Sequence, residues 1–411
     1  MSGRFSSDVY ARRISAAAAG ATAAGLAGLI ITPGYDLRYL IGSRAQTFER
    51  LTALVIPATG GQERSDPGKS TGGQERSDPG KSTGGQERSD PGTTIGGPVV
   101  VLPRMELAAL RESAAADLGL VVRDWVDGED PYRCVADVLG GGPVATAVTD
   151  SMPALHLLPL ADVLGVVPVL ATGVLAGLRM VKDPAEIDVL RIAGAAIDRV
   201  HARVPQFLAP GRTEADVAAD ITDAIVAEGH SEAAFVIVGS GPHGADPHHE
   251  CSDRVLQPGD IVVVDIGGPV EPGYNSDSTR TYSLGEPSAE IAAQYAVLQR
   301  AQAAAVASVR PGVTAEQVDA AARDVLAEAG LAEYFVHRTG HGIGLSVHEE
   351  PYIVAGNDLP LAEGMAFSVE PGIYLPGSWG ARIEDIVIVT AKGALSVNNR
   401  PHDLTVVPLP R

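Results

Sequence analysis

Four carboxylates and one imidazole in the C-terminal half of the sequence lie on or beside short apolar runs; they are Asp265, Asp277, His341, Glu370 and Glu384. A carboxylate at the end of a buried strand is unfavourable unless it is paired or bound to a metal. Four such ligands balance two divalent cations, and oxygen-rich ligation with one nitrogen suits Mn²⁺, Co²⁺ or Fe²⁺ better than structural zinc. Two such ions can share a water, lower its pKa and polarise a carbonyl. The set therefore predicts a peptide or amide hydrolase.

The first two carboxylates are expected on a hairpin. Ile261–Asp265 has the pattern of an apolar strand, the segment 267–273 can turn the chain, and Asp277 begins a returning strand. Such a hairpin would bring Asp265 and Asp277 face to face, where a cation between them would relieve their repulsion. For this pair taken alone, a strand-end aspartate beside an unrelated turn aspartate remains the simpler interpretation.

His341 lies between glycines in the segment Thr339–Gly344. The glycines let the backbone approach a neighbour closely, and they predict a tight turn that fixes the ring. The spacing of the glycines does not indicate a phosphate loop, because no strand leads through them into a helix. A lone histidine in such a segment is usually structural or exposed, so its assignment depends on the rest of the set.

Glu370 and Glu384 follow the same logic as the aspartates. Glu370 ends the apolar strand pattern of 367–370, and Glu384 lies in a second predicted strand, 382–388. Alternation along that strand puts Arg382 and Glu384 on one face. The guanidinium would then lie near the carboxylate and keep it ionised.

These segments resemble the metallopeptidase family of methionine aminopeptidase, aminopeptidase P and prolidase, which share the pita-bread fold. The five candidate ligands also follow the family's order of Asp, Asp, His, Glu and Glu. The N-terminal half more loosely resembles the creatinase-type domain of the proline-specific branch, through Thr32–Gly42. The matching pieces of the C-terminal half are Asp265-Ile-Gly, Gly273-Tyr-Asn-Ser-Asp-Ser-Thr-Arg-Thr, Gly340-His-Gly-Ile-Gly-Leu-Ser-Val-His-Glu-Glu-Pro, Ser368-Val-Glu-Pro-Gly and Arg382-Ile-Glu-Asp.

The resemblance implies a role for each ligand. Asp265 would bind one ion, His341 and Glu370 would bind the other, and Asp277 and Glu384 would bridge them. Glu370 would also act as the proton shuttle for the attacking water. Mn²⁺ is the expected metal, with Co²⁺, Fe²⁺ or Zn²⁺ as alternatives. Family members that lost metal catalysis, such as creatinase, lack several ligands, whereas this chain keeps all five, so activity is expected.

The resemblance also widens the site beyond the ligands. His348 matches the family's second histidine and would hydrogen-bond the substrate or the tetrahedral intermediate. His248 would close over the leaving proline, with His249 and then His243 as less favoured substitutes. Arg382 would hold the ligands in place, as outer partners of metal ligands usually do.

The spacing of the two aspartates departs from the family pattern. Asp265 and Asp277 are 12 residues apart, whereas the family usually has 11. The extra residue is expected in the loop 268–273, where an insertion costs little. It would leave the ligands intact but could reshape the rim of the substrate pocket.

The chain is expected to form two domains. Residues 1–175 alternate strands and helices and predict a smaller α/β domain, and residues 176–411 predict a second domain that mixes helices with a mostly antiparallel sheet. The resemblance implies that the first is of creatinase type and that the second is an α+β catalytic domain of the pita-bread class. Between two predicted strands, a 12-residue unit, GGQERSDPGKST, starts at 60, recurs at 72 and recurs in part at 84. It offers no apolar face, so 60–95 is interpreted as an expanded, disordered and dispensable hairpin loop, with a docking tail or a calcium repeat as alternatives. Helices are predicted over 8–25, 105–118, 131–140, 153–162, 287–309 and 314–330, with others starting near Asp183 and Thr213.

Composition restricts the partners. The formal net charge of −20 disfavours nucleic acid and anionic membranes, because both would repel the chain. The uncharged stretch 14–31 superficially resembles an export signal but is too weakly apolar for one, and no other segment is long and apolar enough to span a bilayer.

Two cysteines, Cys134 and Cys251, make a disulfide framework improbable and favour the cytoplasm. Homodimerisation is implied by the resemblance.

The expected activity is hydrolysis of the Xaa-Pro bond in dipeptides or at the N-terminus of short peptides. The sequence does not decide between a dipeptidase and an aminopeptidase, although a dipeptidase is favoured. Two alternatives stay open. One is a hydrolase or lyase of the same fold that acts on a non-proline C–N bond, and the other is a binding protein without catalysis.

Overall fold

The computed structural model describes residues 4–46, 49–58 and 96–409. The repeat at 60–95 lies outside the described residues. The chain divides into two compact units, one of Ser6–Leu175 and one of Ala176–Arg411 together with Met1–Phe5. No helix in the described ranges is long and apolar enough to cross a membrane.

The first unit contains a mixed six-stranded sheet. Its strands are β1 (Gly28–Ile31), β2 (Ala53–Pro57), β3 (Val99–Pro103), β4 (Val121–Trp125), β5 (Thr146–Val148) and β6 (Val169–Leu170). The order across the sheet is β4-β3-β2-β1-β5-β6, with β1, β2 and β3 antiparallel and the outer pairings parallel. The helices are α1 (Ser7–Ala23), α2 (Tyr35–Ile41), α3 (Leu107–Leu110), α4 (Pro131–Val138), α5 (Ala154–Leu164) and α6 (Thr172–Met180), the last of which continues past the unit boundary.

The predicted helix over 105–118 is wrong. Only a 3₁₀ turn at Arg104–Glu106 and the single turn of α3 form there. The Ser113 hydroxyl donates to the Leu110 carbonyl at 2.7 Å and accepts from the Ala115 N–H at 3.2 Å. Such local side-chain bonds compete with helical backbone bonding, so the chain continues as a series of turns.

The second unit contains three sheets. Its strands are β7 (Phe235–Ser240), β8 (Ile261–Val270), β9 (Tyr274–Leu284), β10 (Gly340–Gly342), β11 (Glu349–Ile353), β12 (Ala366–Val369), β13 (Gly372–Leu375), β14 (Trp379–Arg382), β15 (Asp385–Thr390), β16 (Gly393–Ser396) and β17 (Thr405–Val407). One sheet has the order β17-β9-β8-β7, the second has the order β11-β10-β12-β15-β16, and β13 and β14 form a separate hairpin.

Four helices cover these sheets, namely α7 (Pro184–Phe207), α8 (Glu214–Ala227), α9 (Ala289–Ser308) and α10 (Ala315–Glu328). The predicted starts of α7 and α8 are confirmed, since Asp183 and Thr213 each cap a helix through a capping box. Short 3₁₀ turns lie at Gly241–Ala245 and Ala332–Tyr334. One core forms where α7 and α8 pack on β7, β8 and β9, and another forms where α9 and α10 pack near β12 and β15.

The β8–β9 hairpin is longer than the sequence pattern suggested. Its antiparallel register is unbroken from Ile261 opposite Ser283 to Val270 opposite Tyr274. The predicted turn over 267–273 is therefore too wide, because only 271–273 connect the strands. Alternation along β8 directs Val262, Val264 and Ile266 into the α7–α8 core and directs Asp265 to the opposite face.

Candidate metal centre

The β8–β9 hairpin places both aspartates on one face. Asp265 lies opposite Thr279, and Asp277 lies opposite Gly267. Because Asp277 and Thr279 are two residues apart, all three side chains point to the same side of the hairpin. The aspartates are therefore diagonal neighbours rather than directly opposed, which corrects the expectation of a face-to-face pair. The Thr279 side chain lies between them and the next segment.

His341 lies in strand β10 and not in the tight turn that the glycines suggested. The glycines serve close strand approach instead, because a Cβ added to Gly340 would lie 1.8 Å from the Ser368 carbonyl oxygen. The His341 Nδ1–H donates to the Gly342 carbonyl at 3.1 Å, which leaves Nε2 as the ligand atom. That Nε2 lies 3.6 Å from Asp277 Oδ2 and 3.2 Å from Glu370 Oε1.

The two glutamates occupy the ends of strands. Glu370 directly follows β12, and its Oε1 accepts a hydrogen bond from the Ser368 hydroxyl at 2.9 Å. Glu384 lies in the two-residue link between β14 and β15, so the single strand predicted over 382–388 is wrong. The Glu384 N–H donates to the Thr279 carbonyl at 3.2 Å. At this residue the chain passes from the β13–β14 hairpin into the five-stranded sheet.

The five candidate ligands meet in one buried cluster. Ligand atoms of Asp277, His341 and Glu384 all lie within 4.8 Å of one another. Burial raises the pKa of Asp277 well above its ordinary value, and the charges of Asp265 and Glu370 raise it further. Burial also raises the pKa of Glu384, and the charges of Asp277, Glu370 and Asp265 raise it further. The four carboxylates therefore repel one another unless protons or cations lie between them.

The chemistry of this cluster fits a pair of divalent cations. Asp265 Oδ1 is buried and has no hydrogen-bond partner among the described residues, so its lone pairs are available to an ion. Oxygen donors dominate, with the single nitrogen of His341. Burial would raise the pKa of Glu370, but its hydrogen bond with His341 and the positive charges around it outweigh burial and hold it at about 2.

The Arg382 guanidinium links the candidate ligands through an ion pair and hydrogen bonds. Its Nη2 forms an ion pair with Asp265 Oδ2, its Nε donates to Thr279 Oγ1 at 2.9 Å, and its Nη1 donates to the Tyr374 hydroxyl at 2.8 Å. Thr279 in turn donates to Glu384 Oε2 at 2.7 Å. Arg382 thus pairs directly with Asp265 and reaches Glu384 through the threonine, not side by side with Glu384 on one strand as the sequence suggested.

The sequence did not predict two side chains of the hydrogen-bond network at Arg382, namely Tyr374 and His337. The His337 Nδ1–H donates to the Arg338 carbonyl at 2.7 Å, so His337 Nε2 accepts from the Tyr374 hydroxyl at 2.9 Å. Burial lowers the pKa of His337, which keeps the ring neutral in this role. Neither Tyr374 nor His337 carries a sequence signal, whereas the position of Thr279 two residues after Asp277 does.

His348 and the segment of His248 lie beside the cluster. The His348 ring packs edge-on to His341 with ring centroids 4.1 Å apart. Burial and the charges of His341 and Arg338 lower the pKa of His348 to about 4, so its imidazole is neutral near pH 7. His248 is exposed, its charge also contributes to that lowered pKa, and the preceding Pro247 carbonyl accepts from Arg382 at 3.4 Å.

The two alternative histidines point elsewhere. His249 Nε2 lies 2.7 Å from Glu214 Oε2, and His243 Nδ1 lies 3.1 Å from the same oxygen. Both rings are therefore engaged with a buried carboxylate outside the metal cluster. The role of His248 over the leaving proline stays a prediction.

Comparison with known proteins identifies the family. Residues 188–391 match the model of metallopeptidase family M24. The probable dipeptidase PepE of Mycobacterium tuberculosis strain H37Rv is 71% identical over 406 residues, which cover 99% of each chain. The crystal structure of dipeptidase PepE from Mycobacterium ulcerans superposes with a TM-score of 0.88 at 71% identity, covering 99% of this chain and 100% of that one. A recombinant prolidase from Thermococcus sibiricus superposes with a TM-score of 0.81 at 34% identity, covering 97% of this chain and 99% of that one.

These likenesses extend over both units, and they confirm the predicted family and the predicted pita-bread fold. They also agree with the chemistry of the buried cluster, in which His341 and four carboxylates could hold metal ions. The chain belongs to metallopeptidase family M24 and is a peptidase of that family.

Proposed function

We propose that the chain is a dinuclear-metal dipeptidase that hydrolyses the Xaa-Pro bond. The observation that carries this proposal is the convergence of five metal-binding side chains from two different sheets in one buried cluster. The names of similar proteins, dipeptidase and prolidase, support the choice of a dipeptide substrate with proline in second place.

In this proposal, the ligands divide between two ions. Asp265 would hold one, His341 and Glu370 the other, and Asp277 and Glu384 would contact both. Mn²⁺ is the proposed metal, with Co²⁺, Fe²⁺ or Zn²⁺ as alternatives, because oxygen donors outnumber nitrogen. When bound, such a pair of ions lowers the pKa of a water and polarises the peptide carbonyl.

Glu370 would transfer the proton. Its Oε1 accepts from the Ser368 hydroxyl at 2.9 Å, and its Oε2 lies 3.9 Å from the Arg382 Nε, so the side chain is held at both oxygens. The carboxylate would accept the proton of the attacking water as the C–O bond forms. It would then pass that proton to the proline nitrogen as the C–N bond breaks, so no proton is gained or lost overall.

The histidines would hold the substrate. A neutral His348 would donate a hydrogen bond to the oxygen that becomes negative in the tetrahedral intermediate. The exposed His248, beside the Pro247–Arg382 contact, would cover the proline ring and its carboxylate. Because the prolyl nitrogen carries no N–H, recognition would depend on the ring and the carboxylate rather than on an amide donor.

A substrate panel tests the proposal. The purified chain, stripped with a chelator and reconstituted with Mn²⁺, would be assayed on Xaa-Pro dipeptides, on Xaa-Pro-Yaa tripeptides and on Xaa-Ala dipeptides with the same first residues. We expect two metal ions per chain and a kcat/KM at least about ten-fold higher for the Xaa-Pro dipeptides.

The variant Glu384→Gln is the matched control. It should fold and should lose most of the metal and the activity, because a neutral amide replaces a shared ligand. Preferred cleavage of the tripeptides would instead assign an aminopeptidase. No cleavage of any proline substrate by protein with two metals bound would overturn the proposal.

A further inference from the structure

A second group of metal-binding side chains lies outside the five-residue cluster. It consists of Glu214, the first residue of α8, with His243 in the 3₁₀ turn after β7 and His249 in the segment that follows. The imidazole nitrogens lie 2.7 and 3.1 Å from Glu214 Oε2, and the three ligand atoms all lie within 4.8 Å of one another. The proposed peptidase mechanism uses none of these three groups.

Glu214 is a fixed and ionised carboxylate. Its side chain is fully buried, and its oxygens accept hydrogen bonds from the Ser240 hydroxyl at 2.6 Å and the Ser252 hydroxyl at 2.7 Å. Burial would raise the pKa of Glu214, but the hydrogen bonds from Ser240, Ser252 and His249 outweigh it and hold the pKa at about 2. The Glu214 N–H also donates to the Arg254 carbonyl at 3.1 Å, which fixes the backbone.

We propose that Glu214 Oε2, His243 Nδ1 and His249 Nε2 form a third metal site, of the zinc type. Two imidazoles and one carboxylate are a ligand set that zinc uses with a fourth, open position. The His243 side chain is 38% exposed and the His249 side chain 12% exposed, so solvent reaches the site from the histidine side. A water could complete a tetrahedral coordination shell there.

The arrangement of the rings favours a metal over two protons. The His243 and His249 rings are 4.4 Å apart, and both direct a nitrogen at one carboxylate. If both rings were protonated, two adjacent cations would share a single negative charge. The nearby Arg254 adds little net repulsion for a metal ion, because Asp260 pairs with it through bonds of 2.6 and 3.0 Å. One divalent ion would use both imidazole lone pairs at once.

The two sites would select different metals. The cluster around Asp277 and His341 has four carboxylates and one nitrogen, whereas this site has two nitrogens and one carboxylate. Imidazole-rich sites favour zinc, copper or nickel over manganese. A chain supplied with one equivalent of zinc and an excess of manganese would therefore hold the zinc at Glu214 and manganese in the carboxylate cluster.

Zinc binding can be measured with the carboxylate cluster disabled. The full chain carrying Asp277→Asn and Glu384→Gln would be titrated with Zn²⁺ by calorimetry and compared with the same chain carrying His243→Ala and His249→Ala in addition. We expect about one zinc equivalent in the first protein and none in the second. Crystals soaked in Zn²⁺ should show anomalous scattering between the three side chains.

His248→Ala in the same background is the control. His248 is an exposed histidine of the same segment that does not contact Glu214, so its removal should leave the zinc equivalent unchanged. His243→Ala alone leaves the Glu214–His249 bond intact and keeps the test independent of folding. Equal zinc binding with and without His243 and His249, together with no anomalous density between them, would overturn the third site. The result does not depend on whether the chain cleaves proline substrates.

Discussion

Thr279 positions the proposed metal ligands without being one of them. Its hydroxyl accepts from the Arg382 Nε at 2.9 Å and donates to Glu384 Oε2 at 2.7 Å, so it couples the position of the guanidinium to Glu384, a proposed shared ligand. Asp265 receives the same guanidinium directly. The precision of the cluster therefore depends on one hydroxyl that lies on the β9 face beside Asp277.

Replacing Thr279 by valine should weaken metal binding. The variant keeps the shape of the side chain but leaves the buried Arg382 Nε–H and a Glu384 oxygen without their partner. We expect a loss of about 10–100-fold in metal affinity or kcat/KM, as for other outer partners of metal ligands. The free energy of unfolding should fall by about 1–3 kcal/mol. Metal titration and chemical denaturation would measure the two effects.

Thr279→Ser is the matched control for this change. Serine retains the hydroxyl and removes only a methyl group, so metal affinity should stay within a few-fold of the native value. If valine and serine behaved alike, the hydroxyl would have no role in holding Glu384, and the packing of the methyl group would explain the effect.

For single residues, the sequence predicts the candidate ligands better than it predicts the side chains whose hydrogen bonds position them. The types and order of Asp265, Asp277, His341, Glu370 and Glu384 already indicate a metal site, and the structure brings all of them together. The bonds of Tyr374 and His337 to Arg382 depend on how distant segments pack. A tyrosine or a histidine is common in many environments, so residue type alone does not reveal such bonds.

At the scale of elements, a buried ion pair joins strand β11 to the segment that links α6 and α7. The Lys182 ammonium lies 2.6 Å from Glu349 Oε1, and Arg179 pairs with the other oxygen. The side chains of Lys182 and Glu349 are 1% and 9% exposed. Glu349 begins the strand that directly follows His348, so this pair fixes the chain beside His348.

Removal of the Glu349 charge should destabilise the protein in a pH-dependent way. Glu349→Gln removes the carboxylate that pairs with the buried Lys182 ammonium, which typically costs about 3–5 kcal/mol at neutral pH. Burial raises the pKa of Glu349, but Lys182 and Arg179 outweigh it and lower the pKa below its ordinary 4.5. Because the folded-state pKa is lowered, the stabilisation is present above pH 4.5 and is lost as the pH falls below that value. The difference between the two proteins in urea denaturation should shrink on acidification.

An exposed pair provides the comparison. Arg199 and Glu228 also form an ion pair, but the Arg199 side chain is 55% exposed. Glu228→Gln should change the free energy of unfolding by about 0–1 kcal/mol both above and below pH 4.5. A similar small effect for Glu349→Gln would mean that the buried pair contributes nothing to holding β11.

Element prediction failed where local bonds or propensities misled. The Ala-rich pattern of 105–118 indicated a helix, but the Ser113 hydroxyl satisfies local backbone groups and the chain turns instead. Helix α6 escaped notice because it contains Gly173 and Gly177, each of which lowers helix propensity by about 1 kcal/mol relative to alanine. The strand expected over 382–388 breaks at Glu384, because that residue crosses between two sheets.

For the whole molecule, the described residues on both sides of the repeat already form a closed hairpin. Val55 of β2 lies opposite Val99 of β3, so the chain ends that flank the repeat are neighbours. The family and the fold class followed from sequence. The homodimer and the cytoplasmic location stay predictions, and so does the dispensable role of 60–95.

Deletion of residues 60–95 should leave activity unchanged. With Thr59 joined to Gly96 through a four-residue Asn-Gly-containing linker, the loop between β2 and β3 would shorten from 41 to 9 residues, about five-fold. Loop closure then costs about 1.3 kcal/mol less, since each halving of length saves about 0.6 kcal/mol. The thermal midpoint should be equal or higher, and kcat/KM should be the same as for the full chain.

A scrambled repeat of the same length and composition separates length from sequence. If the scrambled chain retains activity but the deletion does not, spacing matters at this hairpin. If both lose activity while remaining folded, the repeat sequence itself contributes to function, and the interpretation of a dispensable loop is wrong.

Strand β17 has a consequence for the integrity of the metal cluster. It is three residues long, pairs in parallel with β9 at Tyr282–Leu284, and places Val407 in the α7–α8 core. It therefore pairs with the C-terminal end of the strand that carries Asp277. Proteolytic trimming before Thr405 would leave the β9 backbone at Tyr282–Leu284 without this partner strand, and another chain could join that edge by strand addition. Damage at a site far along the chain would thus favour aggregation through the strand that carries a metal ligand.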